Sequence, residues 1–125
     1  MEELFTKYTA AFDAFDAVAI AGLYRLPCAI SDADGVQTYS RVSELTDKFA
    51  ANCEAMRNFG YQSARFNLLE IQPLGGEQVA VNIGWCINTV NSSFEFRTLY
   101  LCHKVSDQWL IFSANVYPGS FSHTT

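Results

Sequence analysis

Charge is scarce in this sequence. Asp, Glu, Lys and Arg make up only 17% of its 125 residues, which is little for a small domain with much surface. A domain short of charge often hides part of its surface in an oligomer; a well-filled monomeric core accounts equally for the shortage. Positive charge is scarcest, with eight Lys and Arg against thirteen Asp and Glu and a net charge of −5. The eight lie scattered at 7, 25, 41, 48, 57, 65, 97 and 104. No basic stripe exists, so nucleic acid is not an expected partner, and an anionic membrane surface would repel the chain. No apolar run approaches the roughly 20 residues of a membrane span. The start, Met1-Glu2-Glu3-Leu4, is acidic and leads straight into a helical pattern, unlike a secretory leader. A cytoplasmic location is expected. Cys28, Cys53, Cys86 and Cys102 are spaced too widely for a zinc knuckle or a redox pair. Each sits in an apolar segment, where a thiol behaves as a small hydrophobe. No metal and no cofactor are expected. Gly75-Gly76 reads as a hairpin turn rather than a phosphate loop, and no Ser nucleophile elbow occurs.

Apolar and aromatic residues are what the chain has in quantity. Half of it is hydrophobic, with ten Phe and six Tyr. Aromatics bury large areas each and suit a cavity wall as well as a solid core. The length is that of one domain, residues 1–125. Leu4, Phe5, Tyr8, Phe12 and Phe15 recur at helical spacing and share one face. Asp16 is expected to cap a second short helix over 17–24, carried by Ile20, Leu23 and Tyr24 and stopped by Pro27. Residues 28–31 read as a short strand. Asp34-Gly35 is a turn signal, and 36–39 returns as a second strand. Ser40 is expected to cap a third helix over 41–58. Leu45, Phe49, Cys53 and Met56 give that helix its apolar side, and Glu44 and Lys48 an i,i+4 pair. Gly60 ends it. The period then switches to two, with strands expected over 61–72, 77–90, 94–105 and 109–117, the first ended by Pro73. Val79, Val81, Ile83, Trp85 and Ile87 line one face of the second of these.

Three helices followed by a long four-stranded meander predict an α+β fold, with N-terminal helices packed on a curved antiparallel sheet. The last three strands are apolar on both faces. One face covers the helices; the other is a candidate homodimer surface, because sheets with one wet face usually alternate cleanly.

This order of elements resembles the nuclear transport factor two-like superfamily, and within it the SnoaL-like polyketide cyclases and the ketosteroid isomerases. Residues 8–16 leading to Leu23-Tyr24 are similar to the first two helices. Ala29-Ile30-Ser31-Asp32-Ala33-Asp34-Gly35 is similar to the strand and loop that hold the isomerase Asp. The alternating strand ending in Trp85, and the charged turn before Trp109-Leu110-Ile111, complete the match. The resemblance implies a cone-shaped, cystatin-like α+β barrel and a pocket for a small apolar molecule. The superfamily includes isomerases, dehydratases, cyclases and non-catalytic binding modules, and fold alone does not choose among them.

The resemblance points to Asp32 as a general base that removes a proton alpha to a carbonyl. Asp before Gly also makes an ordinary Asx turn. Tyr8 lies where the isomerases keep an oxyanion donor, and it is equally one member of the Phe5–Tyr8–Phe12 core stripe. The second acid of the isomerases has no counterpart in Thr98-Leu99-Tyr100-Leu101-Cys102. Tyr100 is a substitute donor if it points inward. His103 is a candidate acid or base; a solvated strand-end residue is its plain alternative, and His123 lies in the tail. Arg97 with Glu95 suggests either a carboxylate clamp or a surface pair. Tyr24, Trp85, Asn115 and Tyr117 complete the candidate pocket wall, each also an ordinary core residue.

Overall fold

A computed structural model of the chain describes residues 1–119. The elements run α1 Glu2–Asp13, α2 Ala17–Ala21, β1 Tyr24–Asp32, β2 Gly35–Tyr39, α3 Val42–Asn58, β3 Tyr61–Gly75, β4 Gln78–Thr89, β5 Ser93–Val105 and β6 Gln108–Pro118. The strands form one open six-stranded sheet in the order β2-β1-β6-β5-β4-β3. From β3 to β6 it is the expected antiparallel meander. The β1–β2 hairpin joins its far side through a parallel pairing of β1 with β6, so the sheet is mixed. The meander brings β6 alongside β1 in the direction that β1 already runs.

The helices form where the apolar spacing puts them. In α1 the buried residues are Leu4, Phe5, Tyr8 and Ala11, and in α3 they are Leu45, Phe49 and Cys53. The Asp16 carboxylate accepts the Ala19 amide at 3.0 Å and caps α2. Gly60 follows α3 with φ of +79°, a conformation that favours glycine. Val79, Val81, Ile83, Trp85 and Ile87 of β4 are buried, as the alternation predicts. All four cysteines are buried free thiols. No described helix is long and apolar enough to cross a membrane.

Several boundaries differ from the sequence expectation, each for a visible reason. Helix α2 stops at Ala21, and Tyr24 opens β1 instead of closing the helix. Pro27 lies inside β1 rather than ending a helix. It is tolerated there because β2 pairing begins only at Cys28 and β6 pairing skips from Tyr24 to Ala29, so no ladder bond needs its missing N–H. Pro73 sits inside β3, which is an edge strand. Ser40 does not cap α3; the Glu44 carboxylate accepts the Ser40 and Arg41 amides at 3.3 Å each. Glu44 is therefore not the partner of Lys48, whose ammonium reaches Asp32 across the fold.

The core lies between the helices and the concave face of the sheet. Phe5 is fully buried at its centre, with its ring 4.9 Å from that of Tyr100 and 6.1 Å from that of Phe66. Phe5→Ala is expected to cost about 3–5 kcal/mol, read as a shift in the urea midpoint. A loss below about 1 kcal/mol would mean that the packing of α1 on the sheet is not as described.

Candidate functional site

Helices α1 and α3 do not fill the hollow of the sheet completely. A cavity of about 160 Å³ remains. Its wall is mainly aromatic and aliphatic, with Phe12 from α1, Phe49 and Met56 from α3, and Trp85, Phe96 and Val116 from the sheet. Polar side chains break that wall, most of them in two groups.

The first is a cluster of phenols. The Tyr8 and Tyr24 hydroxyls are 2.8 Å apart. The Trp85 indole N–H donates to the Tyr100 hydroxyl at 3.0 Å, and the Tyr8 and Tyr100 rings lie 6.0 Å apart, edge to face. Each phenol is held well above its ordinary pKa. Burial is the main cause in all three; the neighbouring phenols, Tyr24 for Tyr8, Tyr100 for Tyr24 and Tyr8 for Tyr100, add to it. A low-dielectric site penalises the phenolate. These hydroxyls therefore stay protonated at neutral pH, and they serve as hydrogen-bond donors rather than bases.

The second is an ion pair nearer to solvent. Lys48 on α3 places its Nζ 2.8 Å from Asp32 Oδ2, at the end of β1. Asp32 Oδ1 accepts the Asp34 amide at 3.0 Å, which forms the Asx turn before Gly35. Asp32 thus both makes the turn and lines the cavity. A carboxylate has about four lone-pair sites, so each oxygen keeps one for a ligand.

The cavity gathers five of the nine expected site residues: Asp32, Tyr8, Tyr24, Trp85 and Tyr100. The other four are elsewhere. Arg97, His103, Asn115 and Tyr117 do not line it, and strand alternation turns them to the opposite face of the sheet, since Thr98 and Tyr100 face inward. There Asn82 donates to the Tyr117 hydroxyl at 2.6 Å, and Asn115 donates to the Leu99 carbonyl at 3.2 Å. His103 contacts the Arg25 guanidinium and stacks near Phe112. His123 lies outside the described residues. Lys48, Asn52 and Thr98 line the cavity without having been singled out from the sequence. Lys48, Asn52 and Met56 make a stripe at spacing four beside the core stripe Leu45–Phe49–Cys53, which is the signal that marks a helix facing both a core and a cavity. Among the described residues no three of His, Cys, Asp or Glu gather as a metal site.

Comparison with known proteins places this geometry in context. No curated protein matches the chain. Among solved structures it is similar to an NTF-2 like protein of unknown function from Shewanella oneidensis MR-1, at 17% identity and a TM-score of 0.75, covering 92% of this chain and 93% of that one. It is also similar to a ketosteroid isomerase-like protein from Erwinia carotovora atroseptica SCRI1043, at 13% identity and a TM-score of 0.72, covering 95% and 93%. A third similar structure is a putative calcium/calmodulin-dependent protein kinase type II association domain from Thiobacillus denitrificans ATCC 25259, at 10% identity and a TM-score of 0.75, covering 95% and 94%. Identities this low speak to fold alone. The family model described as NTF2-like protein (DUF6841) matches residues 1–119, nearly the whole chain, so the chain belongs to that family.

Proposed function

We propose that the cavity binds a small apolar carbonyl compound and that Asp32 moves a proton on it without a cofactor, as in an isomerase, dehydratase or cyclase. The observation that supports this reading is that one cavity is lined by both a carboxylate and a cluster of protonated phenols. Asp32 would take a proton from the carbon alpha to the carbonyl. The electron pair would move to the carbonyl oxygen, and a phenol of Tyr8 or Tyr100 would hydrogen-bond the resulting enolate. Protonated Asp32 would then return the proton to a carbon of the same molecule.

An apolar cavity of about 150 Å³ accommodates benzene, so this hollow of about 160 Å³, which opens to solvent, has room for at least one ring with short substituents. Acetophenone fits that description and carries exchangeable protons on its methyl group. In deuterated buffer the protein is expected to catalyse deuterium incorporation there, followed by proton NMR.

A second reading, binding without conversion, is favoured by the fact that both Asp32 oxygens already have partners. Bound acetophenone with no exchange above buffer would decide for it.

The outer sheet face is the proposed homodimer surface. Leu99 is exposed at its middle, opposite Asn82 on β4 and Asn115 on β6, and β4 carries Ala80 and Cys86 on the same side. Leu99→Glu is expected to give a monomer in sedimentation while the wild type sediments as a dimer. An unchanged mass for the variant would remove this surface from consideration.

A further inference from the structure

Thr98 is the polar residue of the cavity whose hydroxyl goes unused. It lies on β5 in a row that reads Leu68, Ile83, Thr98, Val116 across four strands. Its three neighbours in that row are aliphatic. It is 1% exposed and lines the cavity. Its Oγ1 has no hydrogen-bond partner among the described residues. The Thr98 hydroxyl is near enough to the Tyr100 phenol to act on its proton affinity as a hydrogen-bonding neighbour, but the pair does not reach the distance and angle of a formed hydrogen bond. Of the neighbouring polar groups, the Tyr8 and Tyr24 hydroxyls bond each other, and the Tyr100 oxygen accepts from the Trp85 indole N–H.

An unsatisfied buried hydroxyl is costly, and an apolar residue of the same shape would remove that cost. Valine has that shape and would continue the aliphatic row. A threonine here is therefore explained by something it meets only when the cavity is filled. We infer that Thr98 is a specificity-determining residue, whose hydroxyl donates to an oxygen atom of the bound ligand. This rests on the cavity-binding reading above, and it narrows that reading. The ligand carries an oxygen acceptor directed at the centre of β5, and hydrocarbons of the same shape bind more weakly. A site built to hydrogen-bond its ligand discriminates strongly against the analogue lacking that atom, because the protein group is then left unpaired.

The test uses two probes of nearly equal shape, acetophenone and α-methylstyrene, which differ by a carbonyl oxygen in place of a methylene group. Binding to the wild type, Thr98→Ser and Thr98→Val is measured by ligand-observed NMR titration, and the melting temperature of each unliganded protein is recorded. The wild type and Thr98→Ser are expected to prefer acetophenone by about tenfold or more, and Thr98→Val to show a preference several-fold smaller, since the phenols still face the carbonyl oxygen. Thr98→Val is also expected to melt at or above the wild-type temperature, since it removes an unpaired hydroxyl. A preference undiminished in Thr98→Val overturns the inference, as does a lower melting temperature for that variant. Equal binding of both probes by the wild type overturns it while leaving the cavity reading standing. Binding of neither probe overturns both. Deuterium exchange does not enter this test, so a failure of catalysis and a failure of the Thr98 contact are read separately.

Discussion

Asp32→Asn is expected to lower protein-catalysed deuterium exchange into acetophenone by at least about 100-fold, the usual contribution of a positioned general base. The fold should survive. An amide oxygen still accepts the Asp34 amide, so the Asx turn remains, and the side chain keeps its volume. The expected loss of stability is about 1–3 kcal/mol, because Lys48, with its side chain 10% exposed, gives up an ionic partner. Circular dichroism and urea unfolding check the fold, and NMR exchange rates check the chemistry. Exchange retained by the folded variant would remove Asp32 as the base. Lys48→Met provides the opposing control. It leaves the carboxylate in place without its cation, so exchange should persist there. Loss of exchange in both variants would assign the proton transfer to the ion pair as a unit.

Alkaline pH should unfold this protein with unusual steepness. In an unfolded chain a phenol loses its proton near pH 10. Tyr8, Tyr24 and Tyr100 hold theirs to well above that value because they are buried. Below about pH 10 both states keep the protons and stability is full. Above it the folded state binds more protons than the unfolded one, so stability falls as pH rises, until the folded-state values are reached. Each retained proton contributes a slope of about 1.4 kcal/mol per pH unit, and three contribute about 4. Two buried thiols act in the same direction, Cys28 pushed up to about 11 and Cys102 to about 12, both by burial. A domain of typical stability, about 5–15 kcal/mol, would lose its fold within a few pH units. Urea midpoints at pH 8, 9.5, 10.5 and 11.5 measure the slope. Tyr100→Phe should reduce it by about 1.4 kcal/mol per pH unit, the share of one retained proton. A midpoint unchanged up to pH 11.5 would show that the phenols reach water in the folded state.

The local elements were legible because each rests on spacing within a few residues of sequence. Leu4, Phe5 and Tyr8 on α1, and Leu45, Phe49 and Cys53 on α3, mark buried faces before any contact is known. The alternation from Val79 to Ile87 did the same for β4. The Asp16 cap and the glycine turn after α3 also follow from local chemistry. Errors arose where a competing partner decided the outcome. Pro27 reads as a helix stop, yet it sits in a strand because its neighbours happen not to need its N–H. Glu44 and Lys48 read as a pair, yet each found a better partner, one in the backbone and one in Asp32.

The site divides along the same line. The resemblance named Asp32, Tyr8 and Tyr100 as functional residues, and alternation allowed either face for every residue of β5. Which face of β5 turns inward is set by its register against β4 and β6, where Thr98 meets Ile83 and Val116. A shift of one residue would exchange Thr98 and Tyr100 for Arg97 and Leu99. That register sent Arg97, His103, Asn115 and Tyr117 to the outer face and left the phenols around the cavity. By itself the sequence determined the element order, the helix faces, the α+β class and the low positive charge, all of which depend on neighbours along the chain. Only the tertiary structure decided which strand face lines the cavity, that Lys48 answers Asp32 and that the Thr98 hydroxyl stands without a partner. Those depend on groups brought together from 15 or more positions apart, and no local preference encodes a meeting at that distance.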